Sequence, residues 1–524
     1  MMPRIIAVLA LNEVRLRLRR LGSLVVLLAV IVIFWTMVPD PNTGTLTLIS
    51  IKHARVLYTS SALAMASAKL FAVLFGLLGF YLLRGRMSED LRSGVGSVIA
   101  STQAGNGLFL FSRWLGGVGY LGCLAAALVV NMLVFHSLRG DGPLQPLVYL
   151  QTYCIFLLPV IFFVASCAVL FDSVAPLMGK AGDVIYFLLW TLQFPLLDHF
   201  LAGSDGQFSS WMLGDVSAAG MSLAMLSLKL GLPVSAISKG VTSYTPHLQA
   251  VALPSVLWTA TMVLTRCATA GLALLPLLPA IALFHRFSSD RVKAGSTRNW
   301  RSPLQLINRW LRPLVRIMQP WPKLAASLSG IWGQAFADVA LVLLSSPAMI
   351  AALMAALAFS LIVHIDSLPA VLVAAVAAWG MLVSDISTRD FQADTEALTA
   401  AVPGGIVQRY LRQLLAAGML GLLFMGVIAL RWVFHDPLRA AALAVGVLSL
   451  SAVATLLGRC SRSPRCFVVL FLFWLYVANN VPVVPVIDVV GFNGVANAGS
   501  ILVQLCVGVT AILAGFAYNQ RQSH

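Results

Sequence analysis

Runs of about twenty apolar residues recur along this chain, and each is long enough to cross a hydrocarbon layer of about 30 Å. Nothing else in the sequence constrains its fold as strongly. Lipid offers no partner to an exposed backbone N–H or C=O, so segments of this kind must be helical. Twelve spans are predicted near residues 22–38, 61–83, 114–135, 147–171, 184–200, 255–284, 347–363, 370–384, 413–433, 438–457, 467–482 and 500–518. The fold class that follows is an all-α polytopic membrane protein with both termini in the cytoplasm. Only 10% of the 524 residues are charged, against about 25% in a soluble domain.

The net charge of +16 invites a nucleic-acid reading, which its distribution excludes. With the N-terminus inside, 26 of the 35 Lys and Arg fall on the inner side, in 1–20, 84–113, 172–183, 286–323, 389–412, 459–465 and at Arg521. This is the positive-inside bias, with attraction to anionic lipid as a second effect. No cysteine of the seven falls in an outer loop, so no disulfide framework is implied. The pair in "CSRSPRC", Cys460 and Cys466, lacks His or carboxylate neighbours and reads as two thiols, not a metal site. No cleavable leader is expected, because the first apolar run is long and no small-residue cleavage site precedes a soluble domain.

The chain also repeats itself. Shifted by 300 residues, "MSEDLRSGVGSVIASTQAGNG" at 87–107 falls on "STRDFQADTEALTAAVPGGIV" at 387–407, matching Asp90 with Asp390, Ala100 with Ala400 and Gly105 with Gly405. Shifted by 325, "NEVRLRLRRLG" at 12–22 falls on "ADVALVLLSSP" at 337–347, matching Glu13 with Asp338 and Gly22 with Pro347. The first outer loop, near 39–60, is longer than its counterpart "HIDSLP" and accounts for the change of shift. Three divisions follow: a first half over 1–285, a basic amphipathic linker over 286–330, and a second half over 331–524, each half with six parallel spans. The segments before each first span, and "SPLQLINRWLRPLVRIM" in the linker, have the composition of interfacial helices.

A polar segment between the second and third spans of each half, preceded by an interfacial helix, resembles the membrane subunit of an ABC exporter of the ABC-2 permease class. In that family the polar segment is a cytoplasmic coupling helix. The matching positions are Asp90, Gly94, Ser101, Thr102, Ala104 and Arg113–Trp114 in the first half. In the second they are Asp390, Thr399, Pro403, Arg409 and Tyr410, with Asp394 where the first has Gly94. The resemblance implies a translocation pathway through a bacterial inner (cell) membrane, an unidentified exported substrate and two separate ABC ATPase subunits. Asp90, Gly94, Ser101, Thr102, Asp390, Asp394, Thr399 and Pro403 would meet those subunits. The chain itself is expected to bind no cofactor. ATP and Mg belong to the partners, since no G-x-x-x-x-G-K-[ST] motif occurs and "LSGIWGQ" lacks the consecutive glycines of an ATPase signature. Lys69 and Arg266 lie within spans, where charge is costly and marks candidate pathway residues. A secondary transporter with two six-span halves is the alternative, but paired acids at mid-span are missing. The outer segments 201–250 and 479–499 are expected to cap the pathway.

Overall fold

The computed structural model describes residues 2–19, 23, 27, 28, 31, 35, 46–103, 105–174, 177–202, 210–233, 237–245, 247–255, 257–284, 308–392, 395–396, 405–480 and 484–523. The chain forms two compact units, residues 1–300 and 301–524. Among the described residues, eight helices are long and apolar enough to cross a membrane, or nine if one sharply bent pair counts as a single span. The protein is therefore a predominantly helical, multi-pass membrane protein.

In the first unit, α1 (Met2–Leu18) is followed by α2 (Ser60–Leu83), α3 (Arg86–Arg92), α4 (Val95–Ser101), α5 (Asn106–Arg139), α6 (Pro146–Ser173) and α7 (Lys180–Ala202). After them come α8 (Ala219–Leu230), α9 (Ala260–Leu272) and α10 (Leu277–Leu283). The first predicted span, 22–38, lies almost wholly outside the described residues. Helix α2 begins at Thr59, whose hydroxyl accepts the Ala62 amide. It widens into a π turn at Phe75–Gly79. The Gly76 carbonyl there accepts the Tyr186 hydroxyl at 2.6 Å. A Cβ at Gly76 would lie 1.9 Å from the Trp190 ring, so only glycine lets α2 and α7 meet this closely. Phe80 stacks on Tyr186 with ring centroids 3.6 Å apart.

The segments ahead of α2 and after α8 hold strands that apolar-run analysis did not anticipate. Strand β1 (Leu46–Ile51) turns through Lys52 and His53, both at positive φ, into β2 (Ala54–Arg55). That is the two-residue hairpin geometry matched to strand twist. Strand β3 (Ile237–Ser243) pairs antiparallel with β1, giving the order β2-β1-β3. Two loops far apart in sequence thus close into one sheet.

The second unit contains α11 (Trp321–Ser327), α12 (Gly330–Ser345), α13 (Pro347–Ile362), α14 (Leu368–Ile386), α15 (Arg389–Gln392), α16 (Gly405–Val433), α17 (Pro437–Ser461), α18 (Pro464–Asn480) and α19 (Ala498–Ser523). The described part of the linker packs within this unit, against α12 and α13. Helices α12 and α13 meet at 106°. Pro347 explains the bend: it lacks an N–H and pushes the preceding residue out of the α region, and Ser346 sits at φ −137°, ψ 86°. Helix α13, at 16 residues, and α18, at 17, fall on predicted spans but are short for the purpose.

The α2–α7 contact yields a test. Gly76→Ala is expected to cost about 1–3 kcal/mol through overpacking. Gly122→Ala in α5, where an added Cβ meets nothing within 4 Å, is expected to be neutral or to gain about 0.5–1 kcal/mol. Thermal unfolding of the two purified variants measures the contrast.

Candidate functional site

The polar segment after α2 is a pair of short helices. Gly94, at φ 74°, ends α3 in the left-handed conformation that glycine adopts without strain. The hydroxyls beyond it serve the segment itself. Ser97 donates to the Gly94 carbonyl at 2.6 Å, Ser101 to Val98 at 2.8 Å and Thr102 to Ile99 at 2.8 Å. Between these hydroxyls the outward face carries apolar side chains: Val98 is 65% exposed and Val95 47%.

Asp90 points the other way. It is 3% exposed, and its carboxylate receives a very short hydrogen bond from the Arg113 guanidinium at the foot of α5. Arg113 also donates to Glu13 of α1 at 3.1 Å. Glu13 in turn accepts from Arg17 at 2.8 Å, and Arg86 Nε lies 3.6 Å from Glu13 and 3.8 Å from Asp90. Arg17 spends its other nitrogens on the carbonyls of Leu82 and Leu83, at 2.8 and 3.0 Å, where α2 ends. Those carbonyls are orphans of the last helical turn. Burial raises the Asp90 carboxyl above the ordinary aspartate range and Glu13 adds to this, against the opposing pull of Arg113 and Arg86.

A second cluster holds the start of the segment. Arg84, whose side chain is fully buried, lies 3.1 Å from Asp183 and 3.5 Å from Asp172. It donates to the Leu177 carbonyl at 2.6 Å and sits over the Phe80 and Phe171 rings. The Gly85 amide donates to both Asp172 oxygens, at 3.2 and 3.0 Å. The end of α2 is thus tied to the end of α6 and the start of α7.

The second unit has the same three-residue arrangement at its own third span. Arg412 of α16 lies 2.8 Å from Asp338 of α12 and donates to Asp390 of α15 at 3.4 Å. Burial raises the Asp338 carboxyl, with Arg412 opposing. Arg409, which the sequence match had paired with Arg113, instead donates to Glu396, through the carbonyl at 3.1 Å and the carboxylate at 3.3 Å. Arg459 reaches the same carboxylate at 3.1 Å and Asn519 at 3.2 Å. Arg409 and Arg412 are one helical turn apart, so the pattern-based match had the right helix foot and the wrong turn. Asp394, Thr399 and Pro403 lie outside the described residues, as does Ala104.

Arg266 of α9 is 3% exposed, and backbone carbonyls occupy it: Asp215 at 2.5 Å, Val216 at 2.8 Å, Ile155 at 2.9 Å and Phe156 at 3.4 Å. Pro159 inside α6 removes the amide that would have bonded Ile155, and Arg266 replaces it. Lys69 of α2 is half-buried. Outside the spans, the loop before α8 is organised by buried Asp215, which accepts the amides of Ala219 and Met221 at 3.2 and 2.9 Å. In the second unit Asp488 does likewise for Asn493 and Val495, while Arg439 holds the carbonyls of Gly491 and Phe492. Sequence reasoning did not single out Arg84, Asp172, Asp183, Glu396 or Arg459. Their signal was scarcity, since the whole chain has 19 acids and several sit at helix ends beside a base.

A scan against protein-family models, and searches of curated proteins and of solved structures, found no match to this chain.

Removing one member of a buried pair costs about 3–5 kcal/mol, and the remaining contacts of Arg113 with Glu13 and of Asp90 with Arg86 put the loss toward the lower end. Asp90→Ala and Arg113→Ala are each expected to lose stability on that scale. The double variant is expected to lose much less than their sum. For the more exposed Asp390–Arg412 pair the coupling is expected to be smaller. Denaturation midpoints of the four proteins in each cycle give both numbers.

Proposed function

We propose that this chain is the membrane subunit of an ATP-driven exporter of the ABC-2 permease class, with two six-span halves fused in one polypeptide. Two separate ATPase subunits would supply ATP hydrolysis and its Mg. The observation that carries the reading is the recurrence of one constellation. In each unit an arginine at the foot of the helix after the polar segment bridges an acid on the helix before the spans and an acid on the segment itself. Such a bridge makes three elements respond as one body, which a force-transmitting element requires.

The arrangement divides the labour within the first segment. Asp90 faces inward and holds the segment to α1 and α5. The outward face of α4, carrying Val95, Ser97 and Val98, is left to meet a partner, and apolar positions at its centre suit a protein groove. Ser101 and Thr102 are exposed at its end. The second segment would act in the same way through Asp390. Arg266 is best read as a support for α6 and the outer loop, and Lys69, half-buried in α2, stays the candidate pathway residue.

Two expected outcomes test the proposal. The purified chain alone hydrolyses no ATP. A chain with cysteine at Ser97 forms a crosslink to an ABC ATPase when the two are expressed together, and Val98→Glu lowers co-purification of that ATPase by roughly tenfold without changing membrane insertion. Full reactivity of Ser97→Cys toward a soluble thiol reagent with the ATPase bound would sink the reading.

A further inference from the structure

The segment ahead of α13 combines three properties that together name a ligand. From Asn308 to Ala337 the sequence has Arg309, Arg312, Arg316 and Lys323 and no acid. All four bases are exposed, and no ion pair links any of them to an acid among the described residues. Interleaved with them are large apolar side chains left in the open: Trp310 is 84% exposed and Trp332 56%, with Ile317 and Leu324 about half exposed. An ordinary solvated surface does not show two tryptophans in this way. A headgroup layer is where indole rings and the long stems of arginine are both satisfied.

The segment is also fixed at the right depth. Asn308 Oδ1 accepts the Ala348 amide at 2.9 Å in the first turn of α13. This ties the basic strip to the point where the apolar helix begins. Trp321 stacks on Phe336 with centroids 5.2 Å apart, seating α11 on α12, and Met318 and Ala325 are buried beneath. The 106° bend at Pro347 turns α12 nearly perpendicular to α13. If α13 runs across the bilayer, α12 and the strip lie along its surface.

From these observations we infer that residues 308–332 form a docking platform for anionic phospholipid headgroups on the membrane face toward which the chain's basic residues gather. The four bases contact phosphates, and Trp310 and Trp332 sit at headgroup level. A neutral surface would satisfy the indoles but not a strip of four unpaired positive charges. The inference depends on the chain spanning a membrane and not on what it transports.

The test uses the full chain in nanodiscs, with buried Cys167 as the remaining native cysteine and a fluorophore at position 310 through Trp310→Cys. Quenching is compared between brominated phosphatidylglycerol and brominated phosphatidylcholine at equal mole fraction in a phosphatidylcholine background. Quenching by the anionic lipid is expected to be at least about threefold stronger, since each base near an anionic leaflet is worth up to about fivefold. The preference should vanish in 1 M salt and in the chain with Arg309→Gln, Arg312→Gln, Arg316→Gln and Lys323→Gln, while quenching by both lipids persists. The same preference for anionic lipid read on the otherwise native chain, by its co-purification from mixed nanodiscs with and without the four glutamines, guards against damage from the cysteine replacements. Equal quenching by the two lipids overturns the inference in favour of a neutral interfacial anchor. No quenching by either overturns it in favour of a surface turned to a protein or nucleic acid.

Discussion

An arginine buried between two carboxylates cannot be relaxed one contact at a time. Taking any of the three charges away leaves its neighbours desolvated with one partner fewer, a penalty that is large when the charges are buried. Arg113, between Glu13 and Asp90, therefore makes α1, the polar segment and the foot of α5 mutually dependent. The surrounding architecture follows. Arg17 fastens Glu13 to the end of α2, and Arg84 fastens that end to α6 and α7. A segment that would otherwise be a solvated loop becomes an extension of the helical body. The second unit builds the same dependence on Arg412, with Glu396 gathering Arg409 and Arg459 beside it.

Much of this was legible in the sequence because lipid imposes a strong and simple code. Apolar runs announce helices, and two polar interruptions flanked by them announce something other than a span. The recurrence of Glu13 as Asp338 and of Asp90 as Asp390 pointed to the acids of both constellations. The arginine that joins them was harder to read. Arg113 stands 23 residues after Asp90, whereas Arg412 stands 22 after Asp390. The shift is a single residue, but the Arg-aromatic pattern of Arg113–Trp114 recurs at Arg409–Tyr410 and not at Arg412, which Gln413 follows. Periodicity places a residue on a helix foot, but which turn it occupies is decided by the packing of α12 and α15 against α16.

Other features escaped for related reasons. The sheet joins strands about 190 residues apart, and nothing local in "LTLISI" announces its partner. Arg266 looked like a charge exposed to a pathway because composition cannot show that Pro159 had left the Ile155 carbonyl without its amide. Asp90 looked like an outward-facing residue because acids on polar segments usually face water. It is instead buried against Arg113, while Val95, Ser97 and Val98 are exposed.

The central claim is that α1, the polar segment and the foot of α5 form one cooperative body held by Arg113. Hydrogen exchange of the full chain in nanodiscs, read peptide by peptide with and without Arg113→Met, tests it most directly. The account predicts that the substitution speeds exchange together in residues 2–18, 86–101 and the first turns of α5, leaving α17 and α19 unchanged. Faster exchange confined to the neighbourhood of residue 113, with 2–18 and 86–101 as protected as before, would contradict it.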